Sequence, residues 1–364
     1  MTKSKLTLIV DGNWLLMSRL AVLNNKYDSA DELIKNVKKM LIKSINIALH
    51  TFEDIDNIIF VADGGSWRND IPVPNSIIKK SETGEIISEE YKGTRDQDKS
   101  IDWDIIFKGY GDFIGKLNSV GITTCREKNV EGDDWIFFWS NYLNSINTNC
   151  IIWSADKDLT QLVHTDKNKC FTIWWNAKNG IKCEDTNDDD LDFFFNNQYD
   201  INQEIYNNIV KTGIDIEKIN TKHVIIEKIL KGDISDNIHP VMIRRAKPDK
   251  KTGLITSSKR FKISAKDIDY NLDYDNDNEV LNYLSEIYRL DAYKDRVEDE
   301  IDEVFEHYKY NRKLVELSKT EIPEDIMNKM NQYISMLHIS KDISKAENII
   351  IAETNDIANI AEFI

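Results

Sequence analysis

Five short apolar runs punctuate the first half of the chain: LTLIV (6–10), NIIFVA (57–62), GITTC (121–125), CIIW (150–153) and FTIWW (171–175). Four stretches between them place apolar residues at helical spacing, near 13–23, 31–50, 103–118 and 131–145. Most of the short runs are continuously apolar rather than alternating, as strands buried on both faces are. Strands alternating with helices predict an α/β fold, a parallel sheet covered by helices on both sides.

The turns that end these strands carry acids: VDGN (10–13), ADGG (62–65) and SADKD (154–158). Ligands of open α/β sheets bind beyond the carboxyl ends of the strands. Acids from separate strands are therefore expected to meet on one rim, with Ser154 keeping its turn small. The segment 67–102 shows no long period, contains Pro72 and Pro74, and includes the basic stretch YKGTRDQDK (91–99). Long irregular connections inside an α/β domain are usually functional or mobile. Beyond about residue 185 the pattern changes to helices and loops. The domains expected are a 1–185 core with the segment 67–102 attached and a mainly helical 186–364. Pro323 marks a helix start, and the tail IIIAETNDIANIAEFI (349–364) reads as a packed terminal helix.

Composition changes this picture in two places. With 41% apolar residues among 364, the chain can build a real core, which excludes disorder throughout. Its 47 basic against 63 acidic residues give a net charge of -16, which argues against general polyanion binding. Any nucleic-acid reading must then find positive charge locally. RRAKPDKKTGLITSSKRFK (244–262) supplies it with eight Lys/Arg and one Asp, between the acidic runs 184–192 and 267–279. Cys125, Cys150, Cys170 and Cys183 lie in or beside apolar runs without a CxxC pair, so reduced core thiols of an intracellular protein are expected. The apolar part of MTKSKLTLIVDG is too short for a signal peptide, and no run approaches about 18 apolar residues. A soluble protein is expected.

Nine carboxylates from five segments carry the candidate chemistry: Asp11, Asp63, Glu131, Asp133, Asp134, Asp156, Asp158, Asp233 and Asp236. Singly, each has an ordinary explanation. EGDD (131–134) suits a helix N-terminus, and DKD fits a turn, a calcium-loop fragment or a phosphatase nucleophile. Together in one cleft they would repel one another strongly. Divalent cations such as Mg2+ resolve that conflict, because they prefer carboxylate and water oxygens. A carboxylate-only site with two ions about 4 Å apart suits attack of water on a phosphodiester. No Ser/His/Asp or Cys/His arrangement is evident, and His164, His223 and His239 read as packing or surface residues.

VDGN, ADGG, YKGTRD (91–96), VEGDD (130–134), SADKDLTQL (154–162) and GDISDN (232–237) stand in the order they take in the 5′-nuclease family, which the chain resembles. That family comprises flap endonucleases, the 5′-nuclease domains of bacterial DNA polymerases and phage 5′-exonucleases. SWRND (66–70), DWD (102–104), KILKGD (228–233) and YNRKLVELSKTEIPEDI (310–326) extend the resemblance toward its T-even phage ribonuclease H branch. The resemblance implies a PIN-like nuclease core, and a smaller helical domain carrying a modified helix-hairpin-helix element. It implies two Mg2+ ions, with Mn2+ as substitute. Asp11, Asp63, Glu131, Asp133 and Asp156 would hold the first ion. Asp158, Asp233 and Asp236, with Asp134 and Asp156, would organise the second, so Asp156 bridges.

Lys92 and Arg95 would lie on an arch over the site and steady the scissile phosphate, with Lys79, Lys80 and Tyr91 on the same segment. IHPVMIRRAK after GDISDN lacks the glycines that bring a hairpin backbone close to phosphate. Duplex binding would then fall to Arg244, Arg245, Lys247, Lys250, Lys251, Lys259, Arg260 and Lys262. The implied activity is removal of RNA primers and 5′ flaps during phage DNA replication, by a monomer in the cytoplasm of a bacterial host. Its implied partners are DNA duplexes with a 5′ flap or RNA primer, a sliding clamp and a single-strand binding protein, with no membrane. Two other readings stay open: a nucleic-acid-binding relative without catalysis, and a phosphatase-like hydrolase with Asp156 as nucleophile.

Overall fold

The computed structural model describes residues 5–24, 26–52, 54–74, 79–80, 86–87, 91–92, 98, 100–119, 121–165, 170–185, 201–233, 235–243, 260–261, 263–290 and 301–337. The helices are α1 (Gly12–Leu23), α2 (Ala30–Thr51), α3 (Trp103–Ser119), α4 (Gly132–Ser145), α5 (Ile201–Lys211), α6 (Thr221–Lys231), α7 (Asp277–Arg289), α8 (Ile301–Val315) and α9 (Glu324–Gln332). The main sheet contains β1 (Lys5–Asp11), β2 (Ile55–Val61), β3 (Thr123–Cys125), β4 (Thr148–Trp153), β5 (His164–Thr165), β6 (Phe171–Asn176), β7 (Gly180–Glu184) and β8 (Ile216–Ile219). Their order across the sheet is β8-β7-β6-β4-β1-β2-β3, with β5 beside β6. The five strands expected from apolar runs are present, and they pair in parallel. The expected helix start at Pro323 is also found, as that residue is the N-cap of α9.

The chain groups into two compact units, rather than dividing at one cut near residue 185. One comprises Met1–Ser66, Asp98–Thr221 and Ile322–Ile364; the other comprises Trp67–Gln97 and Lys222–Glu321. In the first unit Leu6, Leu8, Val10, Phe60, Ile151 and Trp153 join residues of α1, α2, α3 and α5 in one core. The residues between them (Ile9, Ile59, Ile152, Trp174) are fully buried too, on the face where α4 packs. Burial on both faces is why these strands read as unbroken apolar runs. The α4 helix is buried nearly all round, with Trp135 and Trp139 fully covered. All four cysteines are buried free thiols, as expected, and burial pushes the Cys125 thiol up to about 12.

The second unit has its own core, built from Ile225, Ile226, Ile229 and Leu230 of α6, Val280 and Leu284 of α7, and Val304 and Tyr308 of α8. Helix α6 ends at Gly232, whose φ of 66° is left-handed; a side chain there would meet the backbone oxygen of Ile238 at 2.4 Å. The chain then turns, closes a bridge between Asp233 and Ile238, and enters the strand Met242–Ile243. That strand pairs antiparallel with Arg260–Phe261. The basic residues 244–259, between these two strands in sequence, lie outside the described residues. Among the described residues, no helix is long and apolar enough to cross a membrane.

One buried amide ties this unit together. Asn311 is fully buried on α8, and its Nδ2 donates to the carbonyls of Ile229 (2.8 Å) and His239 (2.7 Å). Replacing it with leucine leaves two buried carbonyls short of a donor, each costing about 1–3 kcal/mol. Asn311→Leu is expected to destabilise the protein by about 2–4 kcal/mol in urea unfolding. A change below about 0.5 kcal/mol would show that water replaces the amide.

Candidate metal centre

The register of the sheet brings the acidic turns level. Asp11, the last residue of β1, pairs with Val61 of β2, and Val10 pairs with Trp153 of β4. Three adjacent parallel strands therefore end together, and the turns after them carry Asp11, Asp63 and Asp156. Asp11 is 7% exposed and caps α1, its Oδ1 accepting from the Trp14 amide at 2.9 Å. Its Oδ2 accepts from the Ser154 hydroxyl at 2.6 Å. Burial pushes the Asp11 carboxyl up to about 7; the Ser154 and Trp14 hydrogen bonds oppose this, and the charges of Asp63 and Asp156 add to it.

Asp63 is held from three sides. Asn13 Nδ2 donates to its Oδ2 at 2.5 Å, and the Gly132 amide at the start of α4 donates to its Oδ1 at 2.6 Å. The Asp63 amide donates back to Asn13 Oδ1 at 3.2 Å. Behind it, Gly64 lies so close to the loop 126–130 that a Cβ would fall 1.7 Å from the Glu127 carbonyl oxygen. Any other residue would push these two loops apart, which gives ADGG its first glycine. At α4, Glu131 and Asp134 are buried and Asp133 is half-buried. The Glu131 amide donates to Asp134 Oδ2 at 3.2 Å, so Asp134 also serves the helix start.

The turn SADKD centres on Ser154. Its hydroxyl donates to Asp11 and accepts from the Asp156 amide at 3.0 Å, joining two acids that the sequence separates by 145 residues. Asp156 then caps a short 3-10 helix, Lys157–Leu162, with its Oδ1 accepting from the Asp158 amide at 2.9 Å. Both acids are half-buried. Ser154 and Asn13 were not singled out by sequence as site residues. Both stand inside the motifs VDGN and SADKD, where a small polar residue two positions from an acid is the available signal.

In the second unit, Asp233 and Asp236 lie on the turn after α6. Burial works to raise the Asp233 carboxyl, but the Ser235 hydroxyl and the Lys228 ammonium at 3.0 Å outweigh it and hold it down at about 2. Asp236 is buried, and its carbonyl accepts from the Lys92 amide at 2.9 Å, which joins the YKGTRD and GDISDN motifs. Lys92 has a left-handed φ of 57°, and its ammonium sits 4.8 Å above the Tyr91 ring. Of the two uses open to the Tyr91 ring, stacking on a base or packing in a core, its burial in the core of this unit agrees with the second. Lys79, Lys80 and Arg260 belong to short strands whose side chains are not described. Arg95, Arg244, Arg245, Lys247, Lys250, Lys251, Lys259 and Lys262 lie outside the described residues.

In the first unit Asp63 and Asp156 lie within electrostatic reach of Asp11, and Glu131 and Asp133 flank Gly132 of α4, whose amide bonds Asp63. Burial chiefly, and the charges of Asp63 and Asp156 to a lesser degree, disfavour the ionised form of Asp11. Hard divalent cations fit such a site.

Among solved structures, the chain is similar to a T5 protein co-crystallised with metal ions, at 16% identity, covering 92% of this chain and 100% of that one with a TM-score of 0.53. A T5 5′-exonuclease with bound divalent metal ions (zinc) gives 16%, the same coverage and 0.52. A bacteriophage T5 flap endonuclease variant in a pseudo-enzyme-product complex with DNA and metal ions gives 16%, 92% and 99% coverage, and 0.50. No protein-family model matches the sequence, and no curated protein is significantly similar to it. At this identity the likeness establishes the fold: the chain has the PIN-like α/β fold expected from its sequence, which T5 5′-exonuclease shares.

The raised Asp11 carboxyl has a consequence for stability. Its folded pKa lies above the ordinary 3.8, so its contribution is lost as pH climbs from about 4 through about 7. The loss is on the order of 4 kcal/mol in the metal-free protein. Asp11→Asn is expected to raise the melting temperature of chelator-treated protein at pH 8 but much less at pH 4. Equal shifts at both pH values would contradict the assignment.

Proposed function

We propose that the protein is a divalent-metal-dependent nuclease that hydrolyses phosphodiesters at 5′ ends and 5′ flaps. The observation that supports this most is the meeting of Asp11, Asp63 and Asp156 at the ends of three neighbouring strands, on a fold shared with metal-bound T5 5′-exonuclease. Asp11, Asp63, Glu131, Asp133 and Asp156 are the proposed ligands of a first Mg2+. For a second ion the proposal rests on the motifs SADKD and GDISDN, with Asp158, Asp233 and Asp236 as ligands and Asp134 and Asp156 in support. When bound, such ions activate water for in-line attack and stabilise the leaving oxygen.

The chain's own residues prepare that chemistry. Asn13 and the Gly132 amide hold both oxygens of Asp63, while Ser154 sets Asp11 and Asp156 relative to each other. Outer partners of this kind orient ligands and commonly change metal affinity by about 10–100-fold when removed. The Tyr110 hydroxyl is buried without a hydrogen-bond partner, and Asp11 and Asp63 are close enough to push its ionisation well above the ordinary value, after burial itself. A hydrated cation at these carboxylates suits that donor.

The substrate proposed is a DNA duplex with a 5′ flap or an RNA primer. Lys92 and Arg95 would act at the scissile phosphate, and the basic stretch 244–262 on the duplex. Contacts of the latter kind are salt-sensitive and independent of sequence. Removal of RNA primers in phage replication follows from the resemblance to the T-even ribonuclease H branch, as do a sliding clamp and a single-strand binding protein as partners.

A 5′-labelled flap duplex and a 5′-labelled RNA/DNA hybrid provide the test. Cleavage is expected with Mg2+ and not with chelator, and Asp156→Ala and Asp158→Ala should each reduce it by at least about 100-fold. Cleavage that survives chelation or both substitutions would rule out the metal mechanism.

A further inference from the structure

Beside Asp63, the first unit contains a cleft of about 640 Å³ lined by Asp63, Gly64, Phe107, Arg126, Glu127 and Lys128 among others. That volume is within the range of about 300–1,000 Å³ typical of small-ligand sites. The metal reading uses Asp63 with its supports Asn13 and Gly64, and leaves Phe107, Arg126, Glu127 and Lys128 unassigned.

Its walls are braced. Phe107 of α3 is 37% exposed, and its ring is stacked on Trp103 with centroids 5.5 Å apart and planes 28° from parallel. Trp103 is in turn tied through its indole N–H to the Asp98 carbonyl at 2.9 Å. Phe107 is therefore a positioned aromatic ring presented to solvent. Across the cleft, Arg126 Nε donates to the Asp63 carbonyl at 3.1 Å, and the Arg126 carbonyl accepts from the Tyr333 hydroxyl at 3.0 Å. The Gly64 amide donates to Val130, and Asn129 donates back to Gly64, which cross-links the two loops that form the floor. Arg126 and Lys128 balance Asp63 and Glu127 in charge, so one wall is cationic without making the cleft basic overall.

A flat aromatic platform, two cations and a glycine floor, all adjoining a carboxylate rim, match a particular chemistry. The base of a single nucleotide stacks on an aromatic ring whatever its identity, and its phosphate pairs with arginine and lysine. We propose that this cleft seats one unpaired nucleotide of the strand being cut, with its base on Phe107 and its phosphate at Arg126 and Lys128. The inference rests on the nuclease reading and adds to it a subsite that positions the strand end. A stacking subsite of this kind selects unpaired over paired nucleotides, because a paired base cannot offer its face.

The test uses 5′-flap DNA with a cleavage-resistant phosphorothioate at the junction and 2-aminopurine as the unpaired nucleotide next to it. With the full-length protein and Mg2+, fluorescence quenching is expected on binding. Phe107→Leu keeps an apolar side chain against Trp103 but removes the stacking face. It should abolish the quenching and weaken flap binding roughly ten-fold, and Phe107→Trp should restore both. Lys128→Ala should lower the salt dependence of binding by about one phosphate contact. Quenching and affinity in Phe107→Leu equal to wild type would overturn the subsite, while metal-dependent cleavage of ordinary flap DNA by both proteins would leave the nuclease reading standing. Failure of the wild-type protein to bind or cleave flap DNA at all would overturn both.

Discussion

The structure depends on one constraint: three carboxylates must share the rim of a parallel sheet whose adjacent strands are less than about 5 Å apart. Register sets their turns side by side, since β1, β2 and β4 end level with one another. Asp11 bears most of the strain because it is the most buried, and burial with the charge of Asp63 and Asp156 raises it to about 7. Much of the surrounding architecture serves to hold these groups in place. Ser154 links Asp11 to Asp156, Asn13 and Gly132 clamp Asp63, and Gly64 lets the loop 126–130 close behind. Under the proposed function, a divalent cation at these carboxylates would offset the cost of burying Asp11 and the repulsion from Asp63 and Asp156.

The fold was legible where burial was complete. LTLIV, CIIW and FTIWW are strands covered on both faces, so their apolar runs are unbroken and their ends sharply marked by acids. Strands β7 and β8 were not expected, and the reason is visible in GIKCE and IEKI. The first alternates with one face half-exposed, and the second is a short, largely exposed edge strand that resembles loop sequence. The division into units was less legible still. Trp67–Gln97 and Lys222–Glu321 form one unit from distant segments, and contacts between distant segments leave no local pattern.

At the candidate site, the charged residues were more legible in the sequence than their neutral supports. Acids at strand ends stand out because several follow apolar strands in turn, even though Asp11 and Asp156 also serve as helix caps. Asn13 and Ser154 do not, since a small polar residue in a turn has many ordinary uses. Tyr91 shows the reverse situation: an aromatic residue in a basic motif whose ring is buried in the core of the second unit, with the Lys92 ammonium over it. Asp134 shows a third situation, in which helix capping and a place in the acidic cluster fall on one residue.

If rim repulsion is what prepares the metal site, then metal binding must displace the proton that repulsion and burial place on Asp11. Calorimetric titration of Mn2+ into the protein at pH 7, in two buffers of different ionisation enthalpy, measures that proton directly. Proton release is expected at pH 7 and is expected to shrink as the pH rises to 9, because burial raises the Asp11 carboxyl to about 7. Binding with no proton released at pH 7, or no binding at all, would contradict the account.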